Sequence, residues 1–271
     1  MLSFIRFTPP KLVAGLMGLV LCASSSVVQA EQFRITFENL QPTGGFSLTP
    51  AWVAVHDGTF DVFDPGAAAS SELEAIAELG NTAPLSAAFN AASTGADATL
   101  GSVSGAGDPP ILSPGESATG VLTTTAGNNF FSYASMVIPS NDTFIGNSNP
   151  ALFDLSGLGI NQSLTIDVTR FYDAGTEIND PANGAAFSTD GTTPPNGTGG
   201  ADENGVITLD DFASFNAEFN GTNTPLGQIT APLGGIIGRF TITAVPEPGS
   251  VAFFGVLGIG MAMRRRRRQR C

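Results

Sequence analysis

Carboxylate and amide side chains are concentrated in one short segment, directly after a predicted strand. Residues 163–170 alternate apolar and polar side chains, which is typical of a strand with one buried face. The segment that follows carries four oxygen-bearing side chains: Asp173, Glu177, Asn179 and Asp180. Gly175 permits a tight turn between the first two, so Asp173 and Glu177 can face a common point.

Acidic side chains held this close repel one another unless a positive charge lies between them. Arg170 is the only basic residue nearby in the sequence. A hard cation that prefers oxygen ligands, such as Ca²⁺, would relieve the repulsion. A solvated acidic loop is the alternative, and this segment alone leaves both interpretations open.

A second segment adds further oxygen ligands at a chain reversal. Residues 135–138 are apolar and strand-like, and the strand is interrupted at Pro139. Asn141 and Asp142 follow in a predicted turn, within Pro-Ser-Asn-Asp-Thr-Phe-Ile-Gly. With the later Asp-Ala-Gly-Thr-Glu of residues 173–177, this segment resembles the spondin N-terminal domain in its bacterial form.

The resemblance extends from Phe33 to about Val245 and implies one calcium site on an eight-strand β-sandwich. The carboxylates it implies are Asp142, Asp173 and Glu177. Asn141, Asn179 and Asp180 are the outer candidates. Glu177 departs from the family pattern, because animal members tend to have Asp there, and its longer side chain can change how many oxygens bind the ion.

The N-terminal residues 1–30 have the pattern of a secretory signal peptide. Arg6 and Lys11 precede an apolar run at 12–23, and small residues end the segment before Glu31. A membrane-spanning helix needs about 20 apolar residues, more than this run supplies. Cleavage by signal peptidase is therefore expected, and a lipoprotein at Cys22 is disfavoured by the large Leu21.

The C-terminal residues 246–271 combine a short motif, an apolar segment and a basic end. Pro246-Glu-Pro248 precedes the uncharged residues 249–263, and a cluster of arginines follows. This arrangement resembles a PEP-CTERM sorting signal of Gram-negative bacteria. The resemblance implies transient membrane insertion through this tail, cleavage by an exosortase, and a location at the cell envelope or outside the cell. A permanent tail anchor is one alternative; a nucleic-acid-binding arginine run is disfavoured by the acidity of the remaining chain.

The net charge of −13 understates how acidic the expected domain, residues 31–245, is. Of the eleven basic residues of the chain, only Arg34, Arg170 and Arg239 lie in this domain. Of the 24 acidic residues, only Glu247 lies outside it. The net charge of the domain is therefore about −20. Nucleic acid and anionic lipid would be repelled, and divalent cations attracted. The two cysteines lie in the expected signal peptide and tail, so the domain has no disulfide.

Short alternating segments at 33–38, 52–55, 120–125, 130–138, 163–172 and 237–244 predict strands. Residues 70–80 predict one helix, with Ser70 as its cap and Gly80 as its end. These elements indicate an all-β protein, an antiparallel β-sandwich of about eight strands with one short helix on a connection. Phenylalanines are the expected core.

Catalytic interpretations find little support in the sequence. His56 is the only histidine, and with no nucleophile beside it in sequence it is expected to be structural. Residues 200–211 imitate an EF-hand loop, but Gly200 stands where the first Asp is needed, so a second, weak calcium site remains an alternative to an acidic loop. A carbohydrate-binding module would expose Trp52 and Tyr133, and a polysaccharide-active enzyme would need an acid–base carboxylate pair.

The sequence therefore predicts an exported, calcium-binding, non-enzymatic domain that acts in adhesion or in the extracellular polymer matrix. Its expected partner is an extracellular polysaccharide or a surface protein.

Overall fold

The computed structural model describes residues 31–101, 111–182, 186–187, 200–224 and 227–246. The predicted signal peptide, residues 1–30, and the predicted sorting tail beyond Pro246 lie outside the described residues. Over the described ranges, no helix combines the length and the apolar character needed to cross a membrane.

Short strands dominate the described part of the chain, and three helices interrupt them. The strands are β1 (Glu31–Asn39), β2 (Ser47–Leu48), β3 (Ala51–His56), β4 (Ala96–Leu100), β5 (Ser117–Thr124), β6 (Phe130–Ile138), β7 (Thr143–Gly146), β8 (Phe153–Asp154), β9 (Ser163–Val168), β10 (Tyr172–Asp173), β11 (Thr208–Leu209), β12 (Asn223–Thr224), β13 (Gly227–Gln228) and β14 (Gly238–Val245). The helices are α1 (Ser71–Leu79), α2 (Ala83–Ala92) and α3 (Phe212–Phe219).

The strands form a four-stranded sheet in the order β5-β1-β14-β9 and an eight-stranded sheet in the order β11-β10-β7-β6-β3-β4. Strands β2 and β8 join the larger sheet through β6, and β12 pairs with β13 alone. All of these pairings are antiparallel. The predicted all-β, antiparallel sandwich-like fold is confirmed.

The inner faces of the two sheets share one aromatic core. Phe37 of β1 stacks on Phe240 of β14 with ring centroids 4.2 Å apart. Phe131 of the larger sheet lies 5.3 Å from the Phe240 ring, so the core connects the two sheets. All three rings are buried, as the alternating sequence pattern of their strands predicts.

A helical layer covers the opposite face of the larger sheet. Helix α1 begins at Ser70, whose side chain accepts a hydrogen bond from Leu73 N, and ends at Gly80 in the left-handed conformation, as predicted. Trp52 of β3 is buried in this second core, with its ring 5.6 Å from that of Phe89 of α2. Strands β3 and β6 are therefore buried on both faces.

The prediction of a single helix and about eight strands undercounted both. Helix α2 was missed because only Leu85 and Phe89 of its ten residues are buried, which gives a weak periodic signal. Helix α3 was missed although Asp211 caps it, accepting hydrogen bonds from Ala213 N and Ser214 N. The strand predicted at 163–172 is two strands, β9 in the small sheet and β10 in the large one.

Candidate metal centre

Pairing of β7 with β10 brings the two acidic segments together. The chain leaves β6 through a cis Ile138–Pro139 peptide bond and reaches Asp142 just before β7. Asp173, at the end of β10, pairs with Thr143 in the ladder. One residue further, Ala174 N donates to the Asp142 carbonyl at 3.2 Å. The sheet register thus places Asp142 beside the turn that follows Asp173.

Asp142 is fully buried, at 0% exposure, and its two carboxylate oxygens are in different situations. Oδ2 accepts from Thr176 N at 2.7 Å, from Glu177 N at 3.0 Å and from Thr176 Oγ1 at 3.2 Å. Oδ1 is buried and has no hydrogen-bond partner among the described residues. A buried polar atom without a partner is costly, so Oδ1 is the oxygen with capacity to bind a ligand.

The turn after β10 is held by its own side chains. Asp173 Oδ1 accepts from Gly175 N at 2.6 Å, and Asp173 Oδ2 accepts from Asn179 Nδ2 at 3.1 Å. Gly175 has a φ of +67°, which favours glycine, and a Cβ there would lie 2.7 Å from Val206 N. Asn179 Oδ1 is a second buried acceptor for which the described part of the chain supplies no donor.

Asn141 and Asp180 connect the same two segments through the backbone. Asn141 Oδ1 accepts from Asp180 N at 3.0 Å, which occupies that amide oxygen. Asp180 Oδ1 accepts from Ala182 N at 3.0 Å. These contacts position the loop rather than direct either side chain at Asp142.

The charged form of Asp142 is unfavourable in its surroundings. Burial, followed by the nearby charge of Asp173, raises the pKa of Asp142 to about 7, although the hydrogen bonds from residues 176 and 177 act in the other direction. Within the described part of the chain, the charges that influence the pKa values of Asp142 and Glu177 belong to carboxylates. Arg170 is exposed, and within the described ranges the one ion pair joins Arg239 to Asp167, at 2.6 Å.

Glu177 is buried, at 6% exposure, and Asp142 is not the only group near its carboxylate. The carboxylate lies against Gly200, where a Cβ would come within 2.4 Å of Oε2. Burial raises the pKa of Glu177 to about 7, and the charges of Glu78, Asp142 and Asp202 raise it as well. Glu177 therefore lies between Asp142 and a second group of acids.

Two further acids that sequence reasoning missed lie close to Asp173. Burial raises the pKa of Asp210, after β11, and the charge of Asp173 adds to this effect. Burial also raises the pKa of Glu218 on α3, with contributions from Asp210, Asp173 and Asp180. Only the pairing of β11 with β10 brings this segment to the site, so no local motif could reveal it.

The candidate ligand side chains do not converge around one point. Among the described residues, no three Asp, Glu, His or Cys side chains lie close enough together to hold a metal ion. The EF-hand interpretation of residues 200–211 is not supported either, because Asp202 pairs with Glu177 in an antiparallel bridge. Among the described residues, the carboxylate and amide oxygens of this site that are buried without a partner are Asp142 Oδ1, Glu177 Oε2 and Asn179 Oδ1, and the Asp173 carboxylate lies beside them.

His56 has a hydroxyl neighbour that the sequence did not reveal. His56 Nε2 lies 2.9 Å from Ser132 Oγ, while Gly58 N donates to Nδ1 at 3.0 Å. Since Nδ1 accepts, Nε2 carries the proton and donates to Ser132, which also accepts from Asn147 Nδ2 at 3.0 Å. A donating imidazole is in the wrong form for a general base, and both side chains are fully buried.

The aromatic side chains considered for sugar stacking are also internal. Trp52 is buried and donates from Nε1 to Asp97 Oδ2 at 3.0 Å. Tyr133 is buried and packs 4.6 Å from Phe240. The exposure that a carbohydrate-binding module would require of these two residues is absent.

A protein-family model covers both acidic segments. The Spondin_N family model matches residues 17–196, more than half of the chain. This match includes Asn141, Asp142 and the turn from Asp173 to Glu177. No curated protein matches the chain. The chain belongs to the Spondin_N family.

Proposed function

We propose that this chain is an exported, calcium-binding, non-enzymatic domain that acts in adhesion or polymer-matrix association at a bacterial envelope. The observation that carries the proposal is the environment of Asp142, a fully buried carboxylate. Its Oδ1 has no donor in the described ranges, and its charged neighbour is another acid. A buried charge in that position is stable when it is neutralised by a proton or coordinated to a cation. In a medium that contains calcium, Ca²⁺ fits oxygen ligands of this kind.

In this proposal Asp142, Asp173 and Glu177 supply the carboxylates. Asn179 contributes Oδ1, its unpartnered amide oxygen, since its Nδ2 is used by Asp173. Asn141 and Asp180 act mainly by holding the loop in register. For all three carboxylates to bind one ion, the side chains of Asp173 and Glu177 would have to rotate toward Asp142.

The mechanism is architectural. One ion would tie the turn between β6 and β7 to the loop after β10, and would thereby fix the surface around it. Ile178, Val206 and Leu209 are exposed apolar side chains on these segments. Apolar groups at a calcium-fixed surface provide contact area for an extracellular polysaccharide or a surface protein.

A polysaccharide-active enzyme remains the competing function, and its structural requirement is an open groove. A cavity of about 320 Å³ lies beside the site. It is lined by Ala68, Ala69, Glu74, Gly175, Thr176, Asp202, Asn204 and Gly205. None of these is aromatic. The lining therefore supports ion binding more than sugar binding.

Thermal unfolding with and without calcium tests the proposal. At a free calcium concentration one hundred times the Kd, the folded state gains about 2.7 kcal/mol, which raises the Tm of a domain this size by roughly 5–10 °C. Asp173→Asn should abolish most of this shift, whereas Asp64→Asn, at an exposed acid outside the site, should keep it. The same melts in calcium and in chelator would refute the calcium site.

The role in the matrix needs a separate measurement. The full-length chain, solubilised in a non-ionic detergent, is incubated with exopolysaccharide from the producing bacterium, with calcium or with chelator. Retention in calcium that is lost in chelator and in Asp173→Asn supports calcium-dependent adhesion. Equal retention in all three conditions would contradict it.

A further inference from the structure

Strand β9 forms one edge of the four-stranded sheet and is paired on one side only. Its partner is β14, in an antiparallel register that places Thr165 opposite Thr241. The side chains of Ser163, Thr165 and Asp167, which lie on the outer face of β9, are exposed. Beyond β9, the described part of the chain adds no further strand to this sheet. An edge strand of this kind presents unpaired backbone N–H and C=O groups to its surroundings.

The hydrogen bonds at the start of β9 show which backbone groups are unpaired. Gln162 O accepts from Ala244 N at 3.1 Å, so the even-numbered residues of this strand bond to β14. In an antiparallel pair, successive residues alternate between bonding to the partner strand and facing away from it. The residues whose N–H and C=O groups face away from β14 are therefore Ser163, Thr165 and Asp167.

This edge carries little that would keep a second strand away. Natural edges are protected by proline, by lysine or by bulges and charges that disrupt pairing. Strand β9 contains no proline and no lysine, and its one charged residue, Asp167, is paired with Arg239 at 2.6 Å. The opposite edge strand, β5, lies beside β3 and β4 of the larger sheet, where Leu100 occupies the space next to Gly120. Strand β9 is therefore the more open edge.

A second copy of β9 is complementary to this edge. Two identical antiparallel strands are related by a two-fold axis. With the axis at Thr165, the unpaired backbone groups of each copy meet those of the other. On the outer face, Ser163 then lies opposite Asp167 of the copy, so a hydroxyl can donate to a carboxylate and no like charges face each other. On the inner face, the half-buried Leu164 meets Ile166 and loses its remaining exposure.

We propose that two copies of this chain pair through β9, antiparallel and with Thr165 on the two-fold axis. The two small sheets then form one continuous sheet of eight strands, four from each copy. The expected charge of about −20 on each copy opposes association at long range, whereas the contact itself is neutral because Arg239 compensates Asp167. A dimer presents two copies of any adhesive surface to a repetitive polymer, which increases retention without a new contact.

Sedimentation equilibrium of the full-length chain in a density-matched non-ionic detergent measures this association. Chelator is present, so that the result does not depend on the metal centre. Wild type should form dimers as its concentration rises. Thr165→Lys should weaken the dimer by roughly tenfold or more, because it places two like charges directly opposite each other on the axis.

Thr119→Lys is the matched control. Thr119 is an exposed outer-face threonine on β5, at the opposite edge of the same sheet. The variant changes the net charge of the chain by the same amount as Thr165→Lys but lies away from the proposed contact. It should associate like wild type.

Thr165→Pro tests the backbone contact itself. Proline is tolerated on an edge strand where the missing N–H faces solvent, so the ladder with β14 should be kept and thermal unfolding should change little. The dimer should be lost. Thr165→Lys decides the question if the proline variant does not fold.

The salt dependence gives an independent readout. Raising the ionic strength from about 0.01 M to 0.15 M shortens the Debye length from about 30 Å to about 8 Å and screens the repulsion between the two acidic copies. The wild-type dimer should therefore become tighter. A dimer that dissociates as salt is added would instead be held by ion pairs and would contradict this interface.

The remaining outcomes are equally decisive. A wild type that stays monomeric at every concentration would overturn the proposal, including the case in which another segment of the chain covers the edge. A dimer that survives Thr165→Lys, or that is lost in Thr119→Lys instead, would place the interface elsewhere and overturn it too. Calcium-dependent unfolding does not depend on any of these results, so the Asp142 centre is tested separately.

Discussion

Replacing Asp142 with asparagine should raise stability in the absence of calcium and should remove most of the stabilisation that calcium provides. In the chelator-treated protein the Asp142 charge is buried beside Asp173, and the pKa of about 7 records how unfavourable that charge is. Asparagine has the same shape, and its amide oxygen can still accept from Thr176 N and Glu177 N. The substitution would therefore remove the buried charge while the turn is kept. With calcium present, the same change removes a charged ligand.

The size of this stability change follows from the difference between the folded-state pKa of Asp142 and its ordinary pKa. The folded-state pKa lies about three units above the ordinary value of 3.8, and each unit corresponds to about 1.4 kcal/mol, so the ionised group costs about 4 kcal/mol. The asparagine amide brings an N–H group that must also be buried, which costs about 1–2 kcal/mol. The net gain without calcium is about 2–3 kcal/mol, which raises the Tm by roughly 5–10 °C.

The pH dependence of this effect has a definite sign. A carboxyl whose pKa is higher in the folded state than in the unfolded state binds its proton more tightly when the protein is folded. The destabilising effect of Asp142 is therefore absent below about pH 4 and grows as the pH rises toward 7. The advantage of Asp142→Asn in chelator should therefore vanish near pH 4. Asp64→Asn, at an exposed acid, is the control and should melt like wild type under all conditions.

Differential scanning fluorimetry in chelator and in 100 Kd of calcium measures both effects. Asp142→Asn should melt above wild type in chelator and should gain little from calcium, whereas wild type should gain the shift expected from about 2.7 kcal/mol. A variant that melts below wild type in chelator would refute the buried-charge argument. A variant with the full calcium shift would remove Asp142 from the ligand set.

Three further predictions concern protons, His56 and processing. Calcium affinity should fall as the pH drops from about 7 to 5, because protons compete for Asp142 and Glu177, whose pKa values are raised to about 7. Titration calorimetry at both pH values measures this, and an equal affinity at the two pH values would contradict it. His56→Ala should lower stability by about 2–4 kcal/mol in denaturant unfolding, because it leaves a cavity and removes the hydrogen-bond partner of Gly58 N and Ser132. An unchanged unfolding midpoint would be evidence against these two hydrogen bonds. The envelope protein should begin at Glu31 and end near residues 245–248, as intact-mass spectrometry can determine, and a retained arginine tail would contradict exosortase processing.

Local patterns in the sequence predicted the elements whose signals are complete within a few residues. Strand β6 has the predicted bounds Phe130–Ile138, and α1 has the predicted cap at Ser70 and end at Gly80. The turn after Asp173 also follows from its sequence, since Gly175 adopts a positive φ there and donates to Asp173 Oδ1. These features depend on backbone preferences and short-range hydrogen bonds.

The features that the sequence did not predict depend on contacts between distant segments. The orientation of Glu177 is set by Gly200 and Asp202, which approach it through an antiparallel bridge. Asp210 reaches Asp173 through the pairing of β10 with β11. Ser132 becomes the neighbour of His56 only because β3 pairs with β6. Alternation along each strand gives the face of a side chain but not the strand beside it.

The central claim is that a calcium ion binds at Asp142, and locating the ion directly is its most decisive test. Crystals of the protein grown in calcium, with data collected for anomalous scattering, would show the ion position. The account predicts a peak about 2.3–2.6 Å from Asp142 Oδ1, with Asp173 rotated toward it. A calcium-saturated crystal with no peak beside Asp142 would contradict the claim.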